Sequence, residues 1–230
     1  MGLCGEDDGV GGAMKVRIVP AIFVRDMSAL EERLELYEGL VKRVQLDVAD
    51  ENFYSQPSLE FERLVSQPTT LRRDMHLMTA EPIEFLRTCV EEAVELAVGQ
   101  IEMMGSQKEF VEEARGLGIK VGLAVDLETK MSELDWQTAK KADQLLVMGY
   151  GLGNEKQGFN KKALEKIKWL REKQFKGEVC VDGGVNERTI GSCVRAGADV
   201  LAIGRGLWQA KDVGKEYEEL KRLAEAAVKS

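Results

Sequence analysis

The chain is poor in cysteine, proline and histidine, and it contains no long apolar run. Its 230 residues include four cysteines, four prolines and one histidine. Cys4, Cys89, Cys180 and Cys193 form no C-x-x-C pair or other metal-ligand spacing, which favours free thiols in a reducing cytoplasm. No segment approaches the roughly 20 apolar residues that a membrane-spanning helix needs, so we expect no membrane partner.

Basic residues are also in the minority. The sequence has 32 Lys and Arg against 40 Asp and Glu, a formal net charge of −8. This balance argues against nucleic acid or an anionic membrane surface as a partner. Hydrophobic residues make up 44% of the chain, enough for the core of one large α/β domain or of two small domains.

The first 13 residues, MGLCGEDDGVGGA, are rich in glycine and acidic residues. They lack the apolar core of a signal peptide and have the composition of a disordered segment. The sequence therefore predicts a disordered leader over residues 1–13 and a single folded domain over residues 14–230, located in the cytoplasm.

From residue 16 onward, short β-rich apolar runs alternate with amphipathic segments of helical period. The predicted strands are 16–22, 43–48, 71–78, 98–104, 120–125, 144–149, 178–183 and 199–204. The predicted helices include 27–40, 83–96, 108–118, 160–173 and 187–197, with Gly118 and Gly197 as left-handed C-caps. Eight such units predict an α/β fold, a single (β/α)8 TIM barrel. The rival fold, a doubly wound open sheet, usually has a Gly-rich loop after its first strand, and VPAIFVRD has none.

Polar residues collect at the carboxyl ends of these strands, where (β/α)8 enzymes keep their active sites. Asp47 ends the second strand, His76 the third and Asp182 the seventh. Side chains alternate along a strand, so Gln45 shares a face with Asp47, and Asp74 shares one with His76. An Asp in such a position often only caps a helix, and a single histidine is usually structural. Their grouping at strand ends favours a metal-binding or proton-transfer role.

Glycines after the last two strands predict a phosphate site. Gly183 and Gly184 allow backbone N–H groups to approach an anion, and the following helix would present its positive N-terminus. Gly204, after the eighth strand, can add further N–H donors. Loops after strands seven and eight commonly hold phosphate in such barrels.

The order VPAI, QLDVAD, DMHLM, VDGGVNERT and AGADVLAIG, over residues 16 to about 208, resembles the ribulose-phosphate 3-epimerase family. The resemblance implies inversion at C3 of a ketopentose phosphate, converting D-ribulose 5-phosphate to D-xylulose 5-phosphate through an enediolate. It implies that Asp47 and Asp182 are the two catalytic acids on opposite faces of the substrate. It also implies that Met78 and Met148 pack over a small phosphorylated sugar.

The resemblance further implies one divalent metal ion, with His76, Asp47 and Asp182 as ligands. The family's other histidine ligand is replaced by Gln45, which gives a metal set of Gln45, Asp47, His76 and Asp182. This oxygen-rich set should weaken zinc relative to manganese or magnesium, and the identity of the ion (zinc, manganese, iron or magnesium) stays open.

Other positions depart from the family pattern. Ala21 and Ala49 replace a serine and a methionine, and Gln100, beside Glu102, stands where many members have histidine. In the loop after strand six, Gly153, Asn154, Glu155 and Lys156 stand where the family has a Gly-rich turn, and Arg205 adds a positive charge beside the phosphate site. These changes leave two alternatives open: an altered sugar-phosphate substrate, or an inactive sugar-phosphate-binding protein. We also expect a homo-oligomer, because the exposed ends of such barrels often pair.

Overall fold

The computed structural model describes residues 16–153 and 158–229. In these residues, eight parallel strands close into a barrel in sequence order, with the first strand paired to the eighth. The predicted (β/α)8 barrel is confirmed. The predicted leader, residues 1–13, and the loop positions Asn154, Glu155 and Lys156 lie outside the described residues.

The strands are β1 Arg17–Ile22, β2 Arg43–Ala49, β3 Arg72–Met78, β4 Leu96–Gln100, β5 Lys120–Val125, β6 Gln144–Met148, β7 Glu178–Asp182 and β8 Val200–Ile203. The α-helices are α1 Met27–Tyr37, α2 Phe61–Ser66, α3 Leu86–Glu91, α4 Gln107–Leu117, α5 Trp136–Ala139, α6 Lys162–Glu172, α7 Ile190–Ala196, α8 Arg205–Trp208 and α9 Val213–Val228. The described residues also contain two 3₁₀ turns, Pro82–Phe85 and Met131–Glu133.

Seven strands lie within one residue of their predicted bounds, and the fourth does not. The predicted strand 98–104 is wrong, because β4 begins at Leu96 and ends at Gln100, the last residue paired with β5. The predicted helix 83–96 is also too long: α3 ends at Glu91 and the chain reverses at Ala93, whose φ is +53°. The apolar residues Met103 and Met104 extended the run that suggested the later strand, although Met103 is exposed.

The ends of the helices follow local chemistry. Asp26 caps α1 by accepting from the Ala29 amide at 2.9 Å, and Ser106 caps α4 by accepting from the Glu109 amide at 3.2 Å. Both predicted left-handed C-caps are confirmed, at φ +79° for Gly118 and +111° for Gly197. Such caps fix where each helix returns the chain to the barrel.

The core has two layers. The larger layer lies between the outward faces of the strands and the helices, and the smaller one fills the barrel with alternate strand residues such as Val19, Leu96, Val98 and Leu146. Each buried Leu or Val contributes about 1.5–3 kcal/mol relative to an exposed one. Among this buried apolar core, the polar residues Gln45, Asp47, His76 and Asp182 are also buried. None of the helices in the described residues is both long and apolar enough to cross a membrane.

Candidate active site

Two acids and the histidine converge inside the carboxyl end of the barrel. Asp47 lies beside His76 in the β2–β3 register, and Asp182 lies beside Met148 in the β6–β7 register. Nδ1 of His76 is 3.5 Å from Oδ1 of Asp47 and 3.6 Å from Oδ2 of Asp182. All three side chains are buried. The predicted grouping of Asp47, His76 and Asp182 is therefore present in the structure.

Gln45 connects the two acids. Its Nε2 donates to Oδ1 of Asp47 at 2.7 Å and to Oδ2 of Asp182 at 2.6 Å. The amide nitrogen, and not the carbonyl oxygen, faces the carboxylates. An amide N–H is not a metal ligand, so this contact shows a bridge between the acids, and a ligand role for Gln45 stays a prediction.

Burial and mutual charge perturb these groups. Burial, together with the charge of Asp182, raises the pKa of Asp47 to about 6. Burial alone would lower the pKa of His76, but the contacts with Asp182 and Asp47 outweigh it and raise the pKa to about 10. A carboxyl group with a pKa near neutrality can both accept and return a proton, as general acid–base chemistry requires.

The far side of the imidazole contacts a second polar group. Nε2 of His76 lies 2.8 Å from Oε1 of Gln100, and Nε2 of Gln100 donates to Oε2 of Glu102 at 2.7 Å. Oε1 of Glu102 accepts from the Asp126 amide at 2.7 Å. This side of the histidine is therefore fully engaged with the protein.

The residues fit a divalent cation. Asp47, His76 and Asp182 each offer one ligand atom, and these atoms lie within 4.8 Å of one another. Nδ1 of His76 is buried, and it has no hydrogen-bond partner in the described part of the chain. A buried ring nitrogen aimed at two carboxylates is the donor set of an oxygen- and nitrogen-coordinated metal site.

The two predicted methionines lie at the mouth in different surroundings. Met148 packs inside the barrel, with Tyr150 and Leu152 against the same cluster. Met78 packs with Ala49 and Tyr54 in a separate cluster at the carboxyl ends of β2 and β3. Both methionines are buried at strand ends on the acids' side of the barrel, and their contact with substrate stays a prediction.

Gly183 and Gly184 adopt left-handed backbone conformations, with φ of +108° and +71°. A Cβ on Gly183 would lie 2.8 Å from the ring of Tyr150, and one on Gly184 would lie 2.5 Å from the Phe159 amide nitrogen. The turn after β7 thus packs directly against residues flanking the loop after β6. Sequence reasoning missed Tyr150 and Phe159, because only the fold brings them beside these glycines.

The helix predicted to follow these glycines, 187–197, is present but begins later than predicted. Helix α7 begins only at Ile190, because a turn intervenes in which Asn186 Nδ2 and Thr189 Oγ1 donate to the Gly184 carbonyl, at 2.9 and 3.2 Å. After β8 the prediction is closer to the structure. Gly204 directly precedes α8, a single turn that begins with the exposed Arg205. Phosphate binding by these four predicted residues stays a prediction.

Comparisons with known proteins give a consistent result. A family model described as the ribulose-phosphate 3 epimerase family matches residues 17–208. The ribulose-phosphate 3-epimerase of Aquifex aeolicus is 28% identical over 92% of this chain and 98% of its own length. That of Treponema pallidum is 29% identical over 81% of this chain and 88% of its own length.

Solved structures share the fold at lower identity. The 3-hexulose-6-phosphate synthase of Salmonella typhimurium superposes with a TM-score of 0.68 at 13% identity, covering 92% of this chain and 100% of that one. A phosphoribosyl anthranilate isomerase from Thermus thermophilus gives 0.62 at 17% identity, covering 92% and 99%. At these identities the likeness concerns the barrel alone.

Proposed function

The chain belongs to the ribulose-phosphate 3-epimerase family, and from this premise we propose that it is a metal-dependent epimerase that inverts C3 of D-ribulose 5-phosphate. One observation carries the proposal: Asp47 and Asp182 converge from β2 and β7 on one buried point beside His76. Inversion at carbon needs a proton acceptor on one face and a donor on the other. Two acids on strands separated around the barrel meet that need.

One acid removes a proton from the substrate, and the other acid gives a proton back. One aspartate, as carboxylate, removes the proton from C3 of the ketose, and the electron pair of the C–H bond forms an enediolate across C2 and C3. The other aspartate, as carboxylic acid, gives a proton to the opposite face of C3. The raised pKa of Asp47 supports the proposal, because a carboxyl group that titrates near neutral pH can either accept or give the proton.

A divalent metal bound by Asp47, His76 and Asp182 would stabilise the negative charge that develops on the substrate oxygens. Gln45 holds the two carboxylates at a fixed separation through its amide nitrogen. Met78 and Met148 supply an apolar wall, which keeps water from the carbanionic carbon. The turns at Gly183, Gly184, Gly204 and Arg205 are the proposed phosphate seat, which sets C3 between the two acids.

Deuterium exchange tests this function. The protein is incubated with ribulose 5-phosphate in D₂O with zinc, manganese, iron(II) or magnesium, and C3 is followed by NMR. The expected result is deuterium at C3 together with xylulose 5-phosphate. Exchange only with a different sugar phosphate would show an altered substrate. A folded protein that binds the sugar phosphate and gives no exchange with any of these metals would instead be the inactive binder, and the proposal would be wrong.

A further inference from the structure

A row of hydrogen bonds runs from the metal-facing histidine to the loop after β5. It comprises His76 Nε2 to Gln100 Oε1 at 2.8 Å, Gln100 Nε2 to Glu102 Oε2 at 2.7 Å, and the Asp126 amide to Glu102 Oε1 at 2.7 Å. His76 and Gln100 are completely buried. Water therefore cannot replace the bond between His76 and Gln100 if the Gln100 amide turns over.

The donor and acceptor of each hydrogen bond follow from the Asp126 end of the row. The Asp126 amide can only donate, and a carboxylate can only accept, so both oxygens of Glu102 are acceptors. The Gln100 end that faces Glu102 must then be its NH₂ group. This places the Gln100 carbonyl oxygen toward His76, and a carbonyl requires a proton on the ring nitrogen that it meets.

For the neutral ring that metal binding requires, this bonding fixes the tautomer. With the proton on Nε2, the lone pair of a neutral ring lies on Nδ1, the atom that is 3.5 Å from Asp47 and 3.6 Å from Asp182. Nδ1 is the buried ring nitrogen without a hydrogen-bond partner in the described residues. Hydrogen bonding at one ring nitrogen selects the other for the metal, and the outer partner also raises the basicity of the ligand.

We infer that Glu102 is a positioning residue: it orients the Gln100 amide, and through it holds His76 in the tautomer that presents Nδ1 to the metal. The inference rests on the proposed function only through its metal site. The hydrogen bonds of Glu102 go to Gln100 and to the Asp126 amide, and of these two only Gln100 contacts His76, so we expect the effect of Glu102 on the metal to pass through Gln100.

The substitution Glu102→Gln keeps nearly the same side-chain shape but exchanges donor and acceptor in the hydrogen bonds from residue 102 to His76. The new amide must keep its carbonyl toward the Asp126 amide, so its NH₂ group faces Gln100. Gln100 then turns over and presents its own NH₂ group to His76, which becomes an acceptor at Nε2. The proton of the neutral ring is driven to Nδ1, the atom that should bind the metal.

Zinc affinity, measured by competition with a chromophoric chelator, is the main readout. We expect Glu102→Gln to weaken zinc binding about 10- to 100-fold, the usual cost of losing an outer partner of a metal ligand. The matched control is Glu128→Gln, which makes the same change in an exposed acid that binds Lys162 at 2.7 Å. The control should stay within about twofold of wild type, because surface ion pairs contribute little. Equal affinities of Glu102→Gln and wild type, with matching melting temperatures, would overturn the inference.

A double-mutant cycle separates positioning from simple anchoring of the loop. In a Gln100→Leu background the row is already broken, so Glu102→Gln should change zinc affinity less than about threefold. An undiminished loss in that background would mean that Glu102 acts through the Asp126 loop, and the inference would fail.

The ring itself can be observed directly, because His76 is the single histidine of the chain. In the zinc-loaded wild type, a long-range ¹H–¹⁵N spectrum should show the proton on Nε2 and the metal on Nδ1. The opposite arrangement overturns the inference even if Gln100→Leu does not fold. Neither readout needs turnover: a failed exchange experiment with normal zinc results removes the proposed function and leaves this inference standing.

Discussion

The side-chain amide nitrogen of Gln45 lies 2.6 Å from Oδ2 of Asp182 and 2.7 Å from Oδ1 of Asp47, so one neutral donor joins the two acids of the site. Replacing this donor with a histidine, Gln45→His, supplies a second imidazole beside His76. Because nitrogen donors favour zinc over harder ions, we expect zinc affinity to rise at least about tenfold while magnesium affinity falls or stays constant.

The measurement is titration of chelator-treated protein with zinc and with magnesium. Gln137→His is the control, since it adds a histidine at an exposed position on α5, away from the acids. If Gln45→His does not change the preference between the two metals, residue 45 lies outside the coordination sphere and acts only as the bridge seen in the structure.

Neutralising one acid should impair proton transfer on one face of C3, and neutralising the other acid should impair it on the opposite face. Asp47→Asn and Asp182→Asn each remove one proton carrier and leave the other, so each should lower epimerisation by about 10²- to 10⁴-fold. Each variant should still exchange the C3 proton of one epimer with D₂O, and the two variants should prefer opposite epimers. Exchange of ribulose and xylulose 5-phosphate is followed separately by NMR. Equal loss of exchange with both epimers in both variants would contradict the two-base assignment.

The sequence predicted the barrel and the grouping of Asp47, His76 and Asp182 because both depend on local patterns. Alternation with period two and helical spacing located seven strands within one residue, and strand ends in a barrel share one mouth. The fourth strand was misplaced because its end is set by pairing with β5 at Ala124, a contact between distant segments.

What could not be predicted is how the side chains are oriented. The pattern placed Gln45 beside Asp47, but only the folded barrel brings Asp182 close enough for the amide nitrogen to face both acids. Likewise, the spacing of Gln100 and Glu102 was visible, whereas the Asp126 amide that fixes their direction comes from the next strand's loop. The orientation of these side-chain amides depends on matching donors with acceptors between strands, which the periodicity of the sequence does not reveal.

A third buried acid, Asp74, gives a pH dependence of stability. Asp74, two residues before His76 on β3, pairs with Arg43 at 2.7 Å, and its second oxygen has no hydrogen-bond partner among the described residues. Burial, only partly opposed by Arg43, raises the pKa of Asp74 from 3.8 to about 6. The folded protein therefore binds more protons than the unfolded chain between these values, and stability falls as the pH rises through this window.

Asp74→Asn removes this dependence. We expect the wild type to lose stability relative to the variant, by on the order of 2–3 kcal/mol, between pH 4 and pH 6. The difference between their free energies of unfolding should be constant above about pH 7. Urea denaturation at several pH values, with chelator present so that metal binding does not contribute, measures the difference. A difference that rises with pH would show that the ion pair with Arg43 outweighs the cost of burial.

Gly184 should tolerate no side chain, because it combines a left-handed backbone with close contact to Phe159, which the left-handed Gly118 does not have. Gly184→Ala and Gly118→Ala both carry the cost of a left-handed alanine, about 1–2 kcal/mol, at φ of +71° and +79°. The new Cβ meets nothing within 4 Å at Gly118, whereas at Gly184 it lies 2.5 Å from the Phe159 amide nitrogen. We therefore expect Gly184→Ala to lose about 1–3 kcal/mol more stability than Gly118→Ala, since backbone must move to make room.

The same substitution should affect kinetics. Because the backbone at Phe159 adjoins the proposed phosphate seat, KM of Gly184→Ala for ribulose 5-phosphate should rise more than kcat falls. Denaturation and steady-state kinetics test both effects, and equal losses in the two variants would mean that the turn after β7 moves freely relative to Phe159.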